Sequence, residues 1–124
     1  MQIAITALFA LELALLFTHE MDAIRRQEWK MFIILKDMDD EKAYSIFTLL
    51  HVPLYAAVLL LLFSPFSHLG YYVVDVFLLA HMFIHLGFQR HPANKMGGTI
   101  SKAIIYCAGL LAIVHLIAIS GLIF

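Results

Sequence analysis

Apolar positions run almost unbroken along this chain, relieved by three short polar stretches. Four apolar runs, 3–24, 43–63, 71–88 and 100–124, stand between them. A helix needs roughly 20 apolar residues to cross a bilayer, so each run predicts one span. The fold class expected is all-α: one transmembrane domain, residues 1–124, a four-span helical bundle with no separate soluble part. The first run lies where a signal peptide would, yet it has no basic n-region and no A-x-A-like cleavage site, and Glu12 interrupts it. It reads as a retained helix.

The connections carry their own pattern. In 25–42, Trp29, Phe32 and Ile33 recur at helical spacing among charged residues. This predicts an interfacial helix that extends helix one, with Trp29 at headgroup depth. Asp39 or Asp40 can cap helix two, and Pro53 should kink that helix or free a carbonyl. Pro65 and Gly70 bracket a short turn. Gly97 and Gly98 suggest another, with Thr99 as a cap for helix four.

Composition agrees with a membrane. The chain is 63% hydrophobic, against about 45–50% for an average soluble domain. The net charge of −1 argues against a nucleic-acid partner. The single cysteine, Cys107, excludes an intrachain disulfide and any CxxC motif, and reads as a packing residue. All 8 Lys and Arg fall in the first and third connections or at their edges. With four spans those two connections share a face. The positive-inside rule makes that face cytoplasmic and both termini external, as in a bacterial cell membrane.

Against this background the ionisable residues stand out, because each is costly inside a bilayer and suggests function. Counting about 1.5 Å per residue from the basic ends, His19 lies roughly 8 Å in, His51 roughly 12 Å, His81 roughly 10 Å and His85 roughly 5 Å, with Asp22 at the edge. His81 and His85 form H-x-x-x-H, which projects from one helix face and can hold a metal ion. His19 and Asp22 add a histidine–carboxylate pair at i, i+3, a spacing used in carboxylate-bridged metal bundles. The expected metal residues are therefore His19, Asp22, His51, His81 and His85. Imidazole with carboxylate suits zinc, iron or manganese. Glu12, Asp75 and His115 form a deeper tier, roughly 18–21 Å in. Glu12 shares a helix face with His19 and is the candidate catalytic acid or base. Ala108 and Ala112 share the face of His115 and should turn it into the bundle. Glu20 and Glu28 read as structural partners of Arg25 or Arg26. Asp75 lies off the His81/His85 face and is expected to meet another helix. His68 and His91 fall in connections, His91 close to the mouth of the tier.

The stretch Thr18-His19-Glu20-Met21-Asp22-Ala23, followed by Glu28-Trp29, resembles the opening motif of a family of small bacterial four-helix membrane proteins of unknown function. His51-Val52-Pro53, His81-Met82-Phe83-Ile84-His85, and His91-Pro92 with Ser101 extend the likeness over most of the chain. More loosely the chain resembles HXXEE-type membrane proteins, in which a histidine and two acids share a helix; here the acids follow as His-Glu-x-Asp. The resemblance implies a four-helix membrane fold and brings no reaction with it.

The function expected is a membrane protein with a histidine/carboxylate site near the cytoplasmic face that binds a divalent metal. If catalytic, the metal would activate water or oxygen against a lipid-like substrate arriving from the bilayer. The alternatives are a haem-binding electron-transfer module with His51 and His81 as axial ligands, a proton-linked carrier using Glu12 and His115, and a scaffold without a ligand. A carrier this small would need to form homo-oligomers.

Overall fold

The structure, a computed structural model, describes residues 2–65 and 67–121. The last three residues of the fourth expected span lie outside that range. Among the described residues four α-helices form, in the order anticipated: α1 (Gln2–Arg25), α2 (Asp40–Leu62), α3 (Ser67–Phe88) and α4 (Thr99–Ile119). All four are long and apolar enough to cross a membrane.

Their ends follow from local chemistry. Asp39 caps α2, its carboxylate accepting from the backbone N–H groups of Glu41 at 3.1 Å and Lys42 at 3.3 Å. This satisfies two of the orphan donors that every helix start carries. Pro53 lies inside α2, and the helix continues through it. Lacking an N–H, it leaves the carbonyl one turn earlier without its usual donor. Thr99 does not cap α4. It is the first helical residue, and Gly98 precedes it in an extended conformation with no side-chain cap.

The interfacial extension of α1 does not form. α1 stops at Arg25, and Gln27 adopts left-handed backbone angles, φ 57 and ψ 49. That region is uncommon for any residue but glycine, and here it turns the chain back under the bundle. A 3₁₀ helix, Glu28–Met31, follows. Trp29 is consequently buried rather than set among headgroups, with its ring 5.6 Å from Phe47 and 5.9 Å from Tyr44. Phe32 and Ile33, the other members of the expected face, are exposed.

α4 packs against α1 and α3, while α2 packs against α3 and the 3₁₀ helix. Small residues set the α3–α4 spacing. Ala108 and Ala112 are buried, and a Cβ on Gly109 would lie 2.9 Å from Cβ of Met82. Close approach through small residues is how helices associate where lipid removes the hydrophobic drive between them. One apolar cluster, including Trp29, Phe47, Met82 and Ile105, fills the end carrying the basic connections. A second, including Phe9, Leu16, Val74 and Ala112, fills the other half. Leu49, Leu50, Val52 and Leu60 of α2 point outward, a surface suited to acyl chains. Cys107 faces outward too, so it is not the packing residue expected.

Candidate metal centre

His81 and His85 stand one turn apart on α3, and their Nε2 atoms are 3.1 Å from each other. The Nε2 of His19, from α1, lies 2.7 Å from that of His81. The fourth member is Glu28, brought in by the turn at Gln27: Oε1 is 3.2 Å from His85 Nε2, and Oε2 is 3.5 Å from His19 Nε2. One donor atom from each of the four residues lies within 4.8 Å of the others. His19, Glu28 and His85 are buried, and His81 is half-buried.

Hydrogen bonding alone serves this cluster poorly. An imidazole Nε2 offers one in-plane position, either a proton or a lone pair. His81 Nε2 faces two other Nε2 atoms and can bond well with only one. A cation at the centre would accept all three lone pairs together. For zinc, with bonds of about 2.0–2.1 Å, the edge of a tetrahedron is about 3.3 Å. The two imidazole–imidazole separations, 2.7 and 3.1 Å, and the closest approach of each Glu28 oxygen, 3.2 Å for Oε1 and 3.5 Å for Oε2, lie around that value. Burial by itself would raise the pKa of Glu28, but the His85 hydrogen bond and the neighbouring His19, His85 and His81 hold its carboxyl below the ordinary carboxylate value. The site therefore favours an ionised carboxylate, the form that ligates. His19 Nδ1 has no hydrogen-bond partner among the described residues.

Glu28 was invisible to helical spacing. Nine residues after His19, on a continuous helix, it would face roughly the opposite side. Only the break at Gln27 redirects it. Glu20 likewise does not pair with Arg25 or Arg26; its Oε2 is 2.8 Å from His51 Nε2. His51 Nδ1 lies 2.7 Å from the Phe47 carbonyl. A carbonyl only accepts, so Nδ1 donates, and one proton remains to be shared between His51 Nε2 and Glu20. His51 thus stands beside the trio, paired with Glu20 and outside the four converging donors. To serve as a haem ligand through Nε2 it would have to give up Glu20.

Asp22 is not among the four converging donors. It accepts a hydrogen bond from the Ser101 hydroxyl of α4 and from Arg26 Nε at 3.4 Å. Its role here is to tie α1 to the start of α4. His91 Nδ1 accepts from the backbone of Ala93, and the His68 ring packs beside Tyr71 at the far end.

One cavity borders the centre and a second borders the first. One, of about 250 Å³, is lined by Glu20, Glu28, His51 and His81 among others. The other, of about 120 Å³, is walled by apolar residues of α1, α2 and α3, among them Leu16, Val58 and Val74. They share Glu20, Leu54 and Phe77.

The deeper tier closes on itself. His115 Nδ1 is 2.9 Å from Asp75 Oδ2, 3.1 Å from Asp75 Oδ1 and 3.8 Å from Glu12 Oε2. Asp75 does meet another helix, α4, as its position off the His81/His85 face suggested. All three residues are fully buried. Glu12 is seven residues from His19, about 10 Å along α1, and belongs to this cluster rather than to the histidine centre.

No curated protein and no solved structure matches the chain. A family model does match it, over residues 5–122: the chain belongs to the family of unknown function DUF6713.

Proposed function

We propose that this chain is a membrane-embedded metalloprotein holding one divalent cation, zinc, iron or manganese, on His19, Glu28, His81 and His85. The observation that carries the reading is the convergence of four donor atoms from α1, the 3₁₀ helix and α3 within 4.8 Å. Three imidazoles and one carboxylate are a borderline donor set of the kind those metals take. Asp22 and His51, expected as ligands from sequence, lie outside this set: Asp22 anchors α4, and His51 shares a proton with Glu20 at its margin.

The neighbouring cavities support an amphiphilic substrate. A lipid-like molecule could lay its tail along the apolar cavity between α1, α2 and α3. Its polar end would then lie toward Glu20, His51 and His81, past Leu54 and Phe77, which line both cavities. A bound cation supplies Lewis acidity there. Glu20 and His51 hold a transferable proton beside it. The centre lies at the end of the bundle that carries the basic connections, which the positive-inside rule assigns to the cytoplasm.

Elemental analysis of detergent-purified protein tests the reading. His81→Ala/His85→Ala should bind one equivalent of metal fewer than the natural chain while keeping its helical circular dichroism. Equal metal content in the two folded proteins would refute it.

A further inference from the structure

The histidine centre makes no use of Glu12, Asp75 and His115, which come from α1, α3 and α4 and meet near the middle of the spans. Glu12 is about 20 Å by helix rise from the basic end of α1. All three side chains are fully buried. Neither Glu12 oxygen makes a hydrogen bond of normal geometry among the described residues, and neither does His115 Nε2. The Glu12 carboxylate approaches His115 Nδ1 at 3.8 Å without bonding it.

We infer that Glu12, Asp75 and His115 form a second divalent-cation site, deep in the membrane and separate from the histidine centre. One donor atom from each residue lies within 4.8 Å of the other two. The 2.9 Å and 3.8 Å separations around His115 Nδ1 fall on either side of the edge of about 3.3 Å that a tetrahedral zinc site requires.

Charge and the converging donors suit a divalent cation. In an apolar interior a net charge is costly. Two carboxylates and a neutral imidazole carry −2, which one divalent cation cancels. Protons can also reach neutrality, with Glu12 protonated and an imidazolium paired with Asp75. In that state the Glu12 hydroxyl has the neighbouring Asp75 carboxylate as an acceptor, and the His115 Nε2–H is left over. With a cation bound, both carboxylates become ligands and the same Nε2–H is left over. Carboxylate oxygens dominate this site, whereas imidazoles dominate the other, so it should rank metals differently. Oxygen donors shift preference toward manganese and magnesium, and imidazole toward zinc.

Equilibrium dialysis of the full chain in detergent against Zn²⁺ tests this. His81→Ala/His85→Ala should still bind one zinc per chain. Adding Glu12→Gln or Asp75→Asn to that background should abolish binding, with helical content retained. In the natural background either substitution should lower zinc from two equivalents to one. X-ray absorption of zinc on the His81→Ala/His85→Ala protein should show a mainly oxygen shell. If the folded double variant binds no zinc, or if Glu12→Gln and Asp75→Asn both leave its zinc in place, the second site is wrong. The histidine centre is judged separately, by the equivalent that depends on His81 and His85.

Discussion

Gly109→Ala tests how closely the fold and the metal centre are coupled. A Cβ at this position would fall 2.5 Å from Met82 Sδ, 2.9 Å from Met82 Cβ and 3.1 Å from Met82 Cγ. Ordinary carbon contacts begin near 3.5 Å. The sulfur can swing aside, but Cβ is fixed to the α3 backbone, so α3 and α4 must part by several tenths of an ångström. Overpacking of this kind costs about 1–3 kcal/mol. Met82 lies between His81 and His85, so the same movement displaces two of the four donors. Metal sites tolerate only about 0.2 Å of error in ligand distance. Gly87 provides the control: it is in α3, and an added Cβ there meets nothing within 4 Å. Gly87→Ala should be neutral or stabilise by about 0.4–1 kcal/mol. Thermal unfolding in detergent, followed by circular dichroism, should separate the two variants by several degrees, with zinc affinity reduced only in Gly109→Ala. Combining it with Met82→Ala should recover part of the stability, because Cγ and Sδ are gone while Cβ remains. A Gly109→Ala protein as stable as Gly87→Ala, with unchanged zinc affinity, would refute the α3–α4 packing described.

Other outcomes follow from the same geometry. Asp22→Asn should leave zinc stoichiometry unchanged while lowering Tm, since Asp22 bonds Ser101 and Arg26 rather than the centre; loss of one zinc equivalent would restore Asp22 to the ligand set. Acidification should release zinc, because imidazole and carboxylate ligands must be deprotonated to bind it; in equilibrium dialysis, zinc retention undiminished well below the ordinary histidine range of about 6.5 would contradict imidazole ligation. A reporter fused after Phe124 should be active only outside the cytoplasm, as the placement of the basic residues requires; activity inside would overturn the orientation.

The helices were legible because a membrane span needs a long apolar run, and four runs of that length are hard to misread. The pair His81/His85 was legible for a related reason, since i, i+4 spacing fixes a shared face on any helix. Depth counting also brought His19 to the right height. It could not supply direction around each helix axis, and so His51 and Asp22 were grouped with residues they do not join. His51 is held by Glu20 and the Phe47 carbonyl, and Asp22 by Ser101 of α4, partners set by tertiary packing. Glu28 was missed outright because the left-handed turn at Gln27 breaks the periodicity on which its placement relied. Trp29 was misplaced by the same turn. A non-glycine residue in that conformation leaves little trace in sequence, and here it delivers the carboxylate to the trio.

The most direct test of the histidine centre is X-ray absorption at the zinc edge on full-length Glu12→Gln protein loaded with one equivalent of zinc, which isolates that centre. Imidazole scattering from three histidines and one carboxylate oxygen, at about 2.0–2.1 Å, is the result expected, and adding His81→Ala/His85→Ala to Glu12→Gln should abolish the bound zinc and its signal. A shell without histidine scattering, or one unchanged by that double substitution, would contradict metal binding by His19, Glu28, His81 and His85.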